Sequence, residues 1–272
     1  GSSNPITYTG MEAASTDEFV FPELWGHSGQ RAGWGLLTPE SPGDWKWGNI
    51  YRYIGQCYLF LSQLPNALDV SEVQKREWTA EANFLIAYYH FLILEYYGPC
   101  PITDSYIDMD TPNNEYHGRY HFDYVTSWIS MKLDEAAKDL PASRIGSEWG
   151  RATSTIAKAV KAQLLLLAAS PLFNGNSDYI NVKDNQGRHL FPTQVDNSKW
   201  KLAADAALEA INCAKENGHE KLYTFSLPIN SISAATRKLL DIGEAVTEKW
   251  NEEIIWGSTR NVNGLQTVAM AK

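Results

Sequence analysis

The chain has 272 residues and a formal net charge of −9, with 44% hydrophobic and 20% charged residues. This balance is typical of a globular protein rather than a disordered one, and the length allows one or two domains. The acidic charge excludes the clustered basic surface that nucleic-acid binding requires, so no nucleic-acid partner is expected. With 10 tryptophans, 14 tyrosines and 9 phenylalanines, the sequence holds more aromatic residues than a core is expected to absorb.

The N-terminal part of the chain, residues 1–43, is rich in Gly and Pro and is predicted to be a loop-rich segment. Asp44 is a suitable N-cap for a first helix, which is predicted to run to Leu64 and to stop at Pro65. Its apolar residues recur at helical spacing, at Trp47, Tyr51, Ile54, Tyr58 and Leu61.

A second helix is the clearest in the sequence. Ser71 can cap its N-terminus, and Gly98 with Pro99 ends it. Its predicted apolar face advances in alternating steps of four and three residues and consists of Trp78, Ala82, Leu85, Tyr89, Leu92 and Tyr96.

Three further helices are predicted, at residues 121–140, 153–169 and 198–217. Short apolar stretches at 222–227 and 253–256 fit strands or buried irregular segments. The chain therefore reads as a mainly α protein, a TPR-like helix-pair α-solenoid over residues 44–272 with few short strands. A regular 34-residue period is not visible, so the units are degenerate.

Three segments together resemble the SusD/RagB family of outer-membrane glycan-binding lipoproteins. Residues 78–102 (WTAEANFLIAYYHFLILEYYGPCPI) are similar to the second helix of that family. Residues 150–174 (GRATSTIAKAVKAQLLLLAASPLFN) are similar to its Gly-Arg-Ala-Thr and Ala-Ser-Pro-Leu-Phe-Asn motifs. Residues 200–211, with Asn-Glu-Glu-Ile-Ile at 251–255, form the third similar segment.

The resemblance implies one SusD-like domain over residues 1–272, in a protein that binds oligosaccharides and does not cleave them. It also implies a lipid-anchored protein at the cell surface, with a SusC-like TonB-dependent outer-membrane transporter as its partner. Family members are much longer, so their irregular C-terminal half is expected to be absent here. No signal peptide or lipidated cysteine opens the sequence, and no apolar run reaches transmembrane length.

The segment 33–49 (GWGLLTPESPGDWKWGN) places tryptophans in a loop that enters the first helix. An exposed indole can stack on the apolar face of a sugar ring while nearby Arg and Asn side chains bind its hydroxyls. Trp47 also fits the apolar face of the first helix, so a core position is the alternative for it. The predicted glycan-binding residues are Arg31, Trp34, Trp45, Trp47 and Asn49.

Candidate metal ligands have a simpler interpretation. Asn174, Asn176 and Asp178 stand at the first, third and fifth positions of a possible calcium loop, but the Gly and Glu that such a loop requires are missing. We therefore predict that these residues form a turn and not a calcium site. His117 and His121 are four residues apart, with a glycine between them, which favours ordinary surface histidines over a zinc site. No metal or other cofactor is expected.

Two other functions fit parts of the sequence. A helical glycoside hydrolase would combine a Trp-lined cleft with two facing carboxylates, for which the sequence offers no motif. A repeat adaptor that binds protein partners follows from the helix pairs alone. No catalytic residue is predicted.

Overall fold

The structure, a computed structural model, describes residues 15–16, 28–38, 40–41, 46–108, 110–112, 116–219, 221–226, 232–248, 250–257 and 259. In these residues the regular structure is helical, which confirms the mainly α fold class. The α-helices are α1 (Ser28–Gly33), α2 (Trp47–Gln63), α3 (Glu72–Tyr97), α4 (Phe122–Asp139), α5 (Ser154–Ala169), α6 (Ser198–Glu216) and α7 (Ala234–Thr247).

Strands are absent from the described residues, where only two isolated β-bridges occur. The apolar stretches at 222–226 and 253–256, for which strands were one option, are irregular. Within the same residues, no helix is both long enough and apolar enough to cross a membrane.

The chain divides into two compact units. The first comprises Gly1–Asn49 with Thr259–Lys272, and the second is Ile50–Ser258. The single domain inferred from the sequence therefore stays a prediction.

Capping side chains fix the helix ends close to the predicted positions. Ser71 accepts a hydrogen bond from the backbone N–H of Gln74, whose side chain in turn accepts one from the Ser71 backbone N–H. This reciprocal capping box satisfies two backbone donors that the helix itself leaves unpaired. Gly98 ends α3 at φ 67°, a conformation that favours glycine. The His121 side chain accepts a hydrogen bond from the Asp123 backbone N–H and so caps α4, and the Thr153 hydroxyl accepts one from the Ile156 backbone N–H and caps α5.

Consecutive helices in the second unit pack against one another, α3 on α4, α4 on α5 and α5 on α6. Their ends show antiparallel pairing. Phe122 at the start of α4 stacks on Phe173, just after α5, with ring centroids 4.5 Å apart. Thr155 at the start of α5 lies 3.5 Å from the Cys213 sulfur near the end of α6. Such antiparallel neighbours are the arrangement of TPR-like helix pairs.

The most buried side of α3 differs from the predicted face. Phe84, Ala87 and Leu94 are fully buried, whereas Trp78 and Tyr89 of the predicted face are only half-buried. The prediction was wrong on this point because α3 is covered on more than one side. When a helix is buried on several sides, a single apolar stripe in its sequence does not show which side is the most buried.

His90 is a fully buried polar residue of α3. Its Nδ1 lies 2.7 Å from the carbonyl oxygen of Ile86, and its Nε2 accepts a hydrogen bond from the Thr103 backbone N–H at 3.1 Å. These contacts require a neutral ring that carries its proton on Nδ1. Burial lowers the pKa of His90 from 6.5 to about 4.

We therefore expect His90 to make the fold sensitive to acid. Between about pH 6.5 and pH 4 the unfolded chain binds a proton at this residue and the folded chain does not, so the free energy of unfolding falls as pH falls. The loss should be roughly 3 kcal/mol. Urea unfolding at pH 7 and pH 4.5 measures it. His90→Gln should weaken the pH dependence, and an equally steep dependence in the variant would contradict this assignment.

Candidate functional site

Arg31 and Trp34 lie at the end of α1 and in the turn that follows it. The Arg31 guanidinium donates hydrogen bonds to Ser41 Oγ at 2.9 Å and to the Leu36 carbonyl oxygen at 3.4 Å. The backbone N–H of Trp34 donates to the Gln30 carbonyl oxygen at 2.9 Å, and its side chain is 52% exposed. The turn that follows α1 thus carries an accessible indole, and the guanidinium three residues earlier in the chain is held by hydrogen bonds.

The other predicted residues are placed less fully. Trp47 is half-buried and Asn49 is exposed, both in the first turn of α2. Trp45 lies outside the described residues. Among the described contacts, none joins Arg31 or Trp34 to Trp47 or Asn49. A shared sugar-binding arc of all five residues therefore stays a prediction.

The residues that carry the resemblance have structural roles. Arg151 donates to both carboxylate oxygens of Glu81, at 3.0 and 2.5 Å. Thr153 caps α5. Asn174 is buried, and its side chain exchanges hydrogen bonds with the backbone of Asp196 at 2.9 and 3.0 Å. These three residues therefore tie helices and loops together.

The oxygen side chains of the possible calcium loop act within the chain. Asn174 binds the backbone of Asp196, as above, and Asn176 accepts from the backbone N–H of Asp178, where it caps a short 3-10 turn. His121 caps α4. In the described residues, no group of three or more His, Cys, Asp or Glu side chains is arranged to hold a metal ion.

Glu77 and Glu81 are two neighbouring carboxylates of low exposure, but arginines hold both. Arg144, whose side chain is only 5% exposed, binds Glu77 and Glu148 and donates to Glu81 at 2.7 Å. Arg151 binds the opposite oxygen of Glu81. This five-residue ion cluster (Glu77, Glu81, Arg144, Glu148 and Arg151) joins the start of α3 to the segment before α5.

A groove of about 500 Å³ between α2 and α3 was not predicted from the sequence. Four aromatic side chains line it in two pairs. The Tyr53 and Tyr89 ring centroids are 5.6 Å apart, and those of Phe60 and Trp78 are 6.5 Å apart. The sequence signal was the Tyr53 and Phe60 spacing of seven residues, which places both on one side of α2 but not on its predicted apolar face.

Comparison with known proteins decides the family. A family model described as "SusD-like_3: Starch-binding associating with outer membrane" matches residues 37–166. A solved protein named BT4246 superposes with a TM-score of 0.80 and 43% identity, over 91% of this chain and 46% of that chain. These matches show that the chain is SusD/RagB-like. It spans less than half the length of BT4246.

Two solved structures of lower sequence identity share the fold. A laminarin-binding SusD-like protein matches with a TM-score of 0.52 and 22% identity, over 62% of this chain and 36% of that chain. A protein crystallised with a xylogluco-oligosaccharide matches with a TM-score of 0.54 and 19% identity, over 81% and 39%. At these identities the likeness shows the fold alone. No curated protein sequence matches the chain.

Proposed function

We propose that this SusD/RagB-like chain belongs to a cell-surface lipoprotein that captures oligosaccharides for a SusC-like TonB-dependent transporter. The family description, starch binding in association with the outer membrane, supports the ligand class and the location. Two fold relatives, a laminarin-binding SusD-like protein and a protein crystallised with a xylogluco-oligosaccharide, agree with this ligand class.

The observation that carries the proposal is the exposed Trp34 indole in the turn that follows α1, the helix that bears Arg31. Sugar-binding sites combine an apolar platform with a few fixed hydrogen-bonding groups. Arg31 is itself held by Ser41, so the turn is ordered before a ligand arrives. Preorganisation of this kind lowers the entropy cost of binding. Trp45, Trp47 and Asn49 are proposed as further members of this N-terminal site.

We further propose that the protein binds glycan without cleaving it. Glycoside hydrolysis needs two carboxyl groups that flank the scissile bond, with one free to donate a proton and the other free to act as base or nucleophile. Glu81 lines the groove that holds the exposed aromatic residues of α2, and Glu77 lies one helical turn before it on α3. Both are bound by arginines in the ion cluster.

Trp34→Ala tests the N-terminal site. We expect it to weaken glycan binding by about 1–3 kcal/mol, the usual loss when an aromatic anchor is truncated. Because Trp34 is exposed, the melting temperature should hardly move. We expect Trp45→Ala to weaken glycan binding by a similar amount and also to leave the melting temperature almost unchanged. Affinity electrophoresis in gels that contain laminarin or xyloglucan measures the loss.

Trp200→Ala is the matched control, since Trp200 lies on α6 and has a similar exposure of 45%. It should leave glycan binding unchanged. Equal losses in the Trp34 and Trp200 variants would mean that the indole at position 34 has no special role.

A further inference from the structure

The groove between α2 and α3 has the chemistry of a binding site. Tyr53 and Phe60 on α2 are 40% and 41% exposed, and half-buried Trp78 and Tyr89 on α3 face them across the groove. Apolar aromatic side chains left open to solvent in a concave surface are typical of ligand sites rather than of a packed helix interface. Their rings supply flat surfaces on more than one side of the groove.

Polar groups complete the lining. Gln56 is exposed and offers both donor and acceptor atoms, and Glu81 and Arg151 also line the groove. Arg151 Nη2 lies 2.5 Å from Glu81 Oε2, so the two charges that face the groove neutralise each other. A lining with no net charge and with several hydrogen-bonding groups suits an uncharged ligand rich in hydroxyls. A strongly anionic ligand would find no excess positive charge.

Ring contacts continue beyond the groove along α3. Tyr89 lies 6.2 Å from Tyr88, and Tyr88 lies 5.0 Å from Trp256, measured between ring centroids. The indole Nε1 of Trp256 donates to the Gly150 carbonyl oxygen at 3.0 Å, which fixes this ring in place. Aromatic rings thus follow one another from Tyr53 through Tyr89 and Tyr88 to Trp256.

We propose that the α2–α3 groove is a second carbohydrate-binding site, which takes a neutral oligosaccharide and is separate from the N-terminal site. The proposal rests on the glycan-binding function proposed above and adds a location and a charge preference. Stacking on Tyr53 and Phe60 and hydrogen bonds to Gln56, Glu81 and Arg151 would hold the ligand.

Methyl NMR of the whole chain tests this proposal, because Ala82 and Leu85 place methyl groups in the groove wall. Neutral xylogluco- and laminari-oligosaccharides should shift these methyl signals, and an oligogalacturonate should not. The Tyr53→Ala/Phe60→Ala double variant should raise the dissociation constant followed at these methyls by about tenfold or more. Tyr124→Ala, at an exposed tyrosine of α4, is the matched control and should leave it unchanged.

Trp34→Ala separates the two proposals. Groove methyl shifts that persist in this variant would support an independent second site. If Trp34→Ala abolished the binding of neutral glycans, and the groove methyl signals of the wild type did not shift, the groove proposal would be overturned. The N-terminal site would then be supported. Groove shifts caused by a hydrophobic peptide and by no sugar would overturn the groove proposal in favour of protein docking. If the wild-type chain bound no glycan at all, both proposals would be overturned.

Discussion

Replacing Phe84 by alanine should lower the free energy of unfolding by roughly 3–5 kcal/mol. Phe84 is fully buried on α3, and its ring lies 6.0 Å from Tyr88 and 5.5 Å from Trp256. Removing the ring loses its transfer free energy and leaves a cavity that the surrounding helices fill only in part. Urea unfolding followed by circular dichroism at pH 7 measures the change.

Phe60→Ala is the matched control, since it removes the same side chain from a position that is 41% exposed. It should cost about 1 kcal/mol or less, because water already reaches that ring. Trp78 belongs to the predicted apolar face and is half-buried, so the cost of Trp78→Ala in unfolding free energy should lie between those of Phe84→Ala and Phe60→Ala. If Phe84→Ala cost no more than Phe60→Ala, the packing of α3 described above would be incorrect.

Replacing Arg144 by alanine should lower the free energy of unfolding by roughly 3–5 kcal/mol, the usual cost of removing one partner from a buried ion pair. The Arg144 side chain is almost fully buried, and its guanidinium binds Glu77, Glu81 and Glu148 while its Nε donates to the Ala152 carbonyl oxygen at 3.2 Å. The variant leaves these carboxylates with too few donors. Urea unfolding at neutral pH measures the loss.

Arg188→Ala is the control for Arg144→Ala. Arg188 also pairs with a carboxylate, Asp184, at 2.6 Å, but its side chain is exposed to solvent. An exposed ion pair adds little to stability, so this variant should unfold almost as the wild type does. Similar unfolding of the Arg144 and Arg188 variants would show that the ion cluster does not tie α3 to the segment before α5.

The helix ends could be predicted from the sequence because local chemistry sets them. Ser71, Gly98 and Thr153 act where their side-chain or backbone preferences indicated. The second and later predicted helices begin and end within about one residue of their expected positions. Asp44, the predicted N-cap of α2, lies outside the described residues, and α2 begins at Trp47.

Two helices were missed for local reasons. Gly29 and Gly33 in α1 favoured a loop, because glycine is a poor helix former. Helix α7 does carry apolar residues at helical spacing, at Leu239, Ile242 and Val246, but Gly243 interrupts the pattern. All three apolar side chains are exposed in the structure, so the spacing there does not mark a buried face.

In the candidate functional sites, too, one feature could be predicted from the sequence and another could not. The exposure of Trp34 could be predicted, since a tryptophan between two glycines has few neighbours to cover it. The groove could not, because Tyr53 and Phe60 become a ligand surface only when Tyr89 and Trp78 of α3 are brought opposite them. Contacts between residues that lie far apart in the sequence are not encoded in helical spacing.

The family motif also has a physical explanation that the sequence alone did not supply. Arg151 stands next to the capping residue Thr153, so one short segment both starts α5 and binds Glu81 on α3. Residues of this kind identify the fold, and in the proposed groove the paired Arg151 and Glu81 would also set the preference for an uncharged ligand. The stacking surfaces are proposed to be exposed aromatic residues such as Trp34 and Tyr53.

The most direct test of glycan capture without cleavage is one experiment with two readouts on the same samples. The chain is incubated with laminarin, xyloglucan and starch, binding is measured by isothermal titration calorimetry, and released reducing ends are then assayed against a heat-killed control. We expect saturable binding to at least one of these polysaccharides with no reducing ends above the control. Reproducible release of reducing sugar, or the absence of binding to all three, would contradict the proposed function.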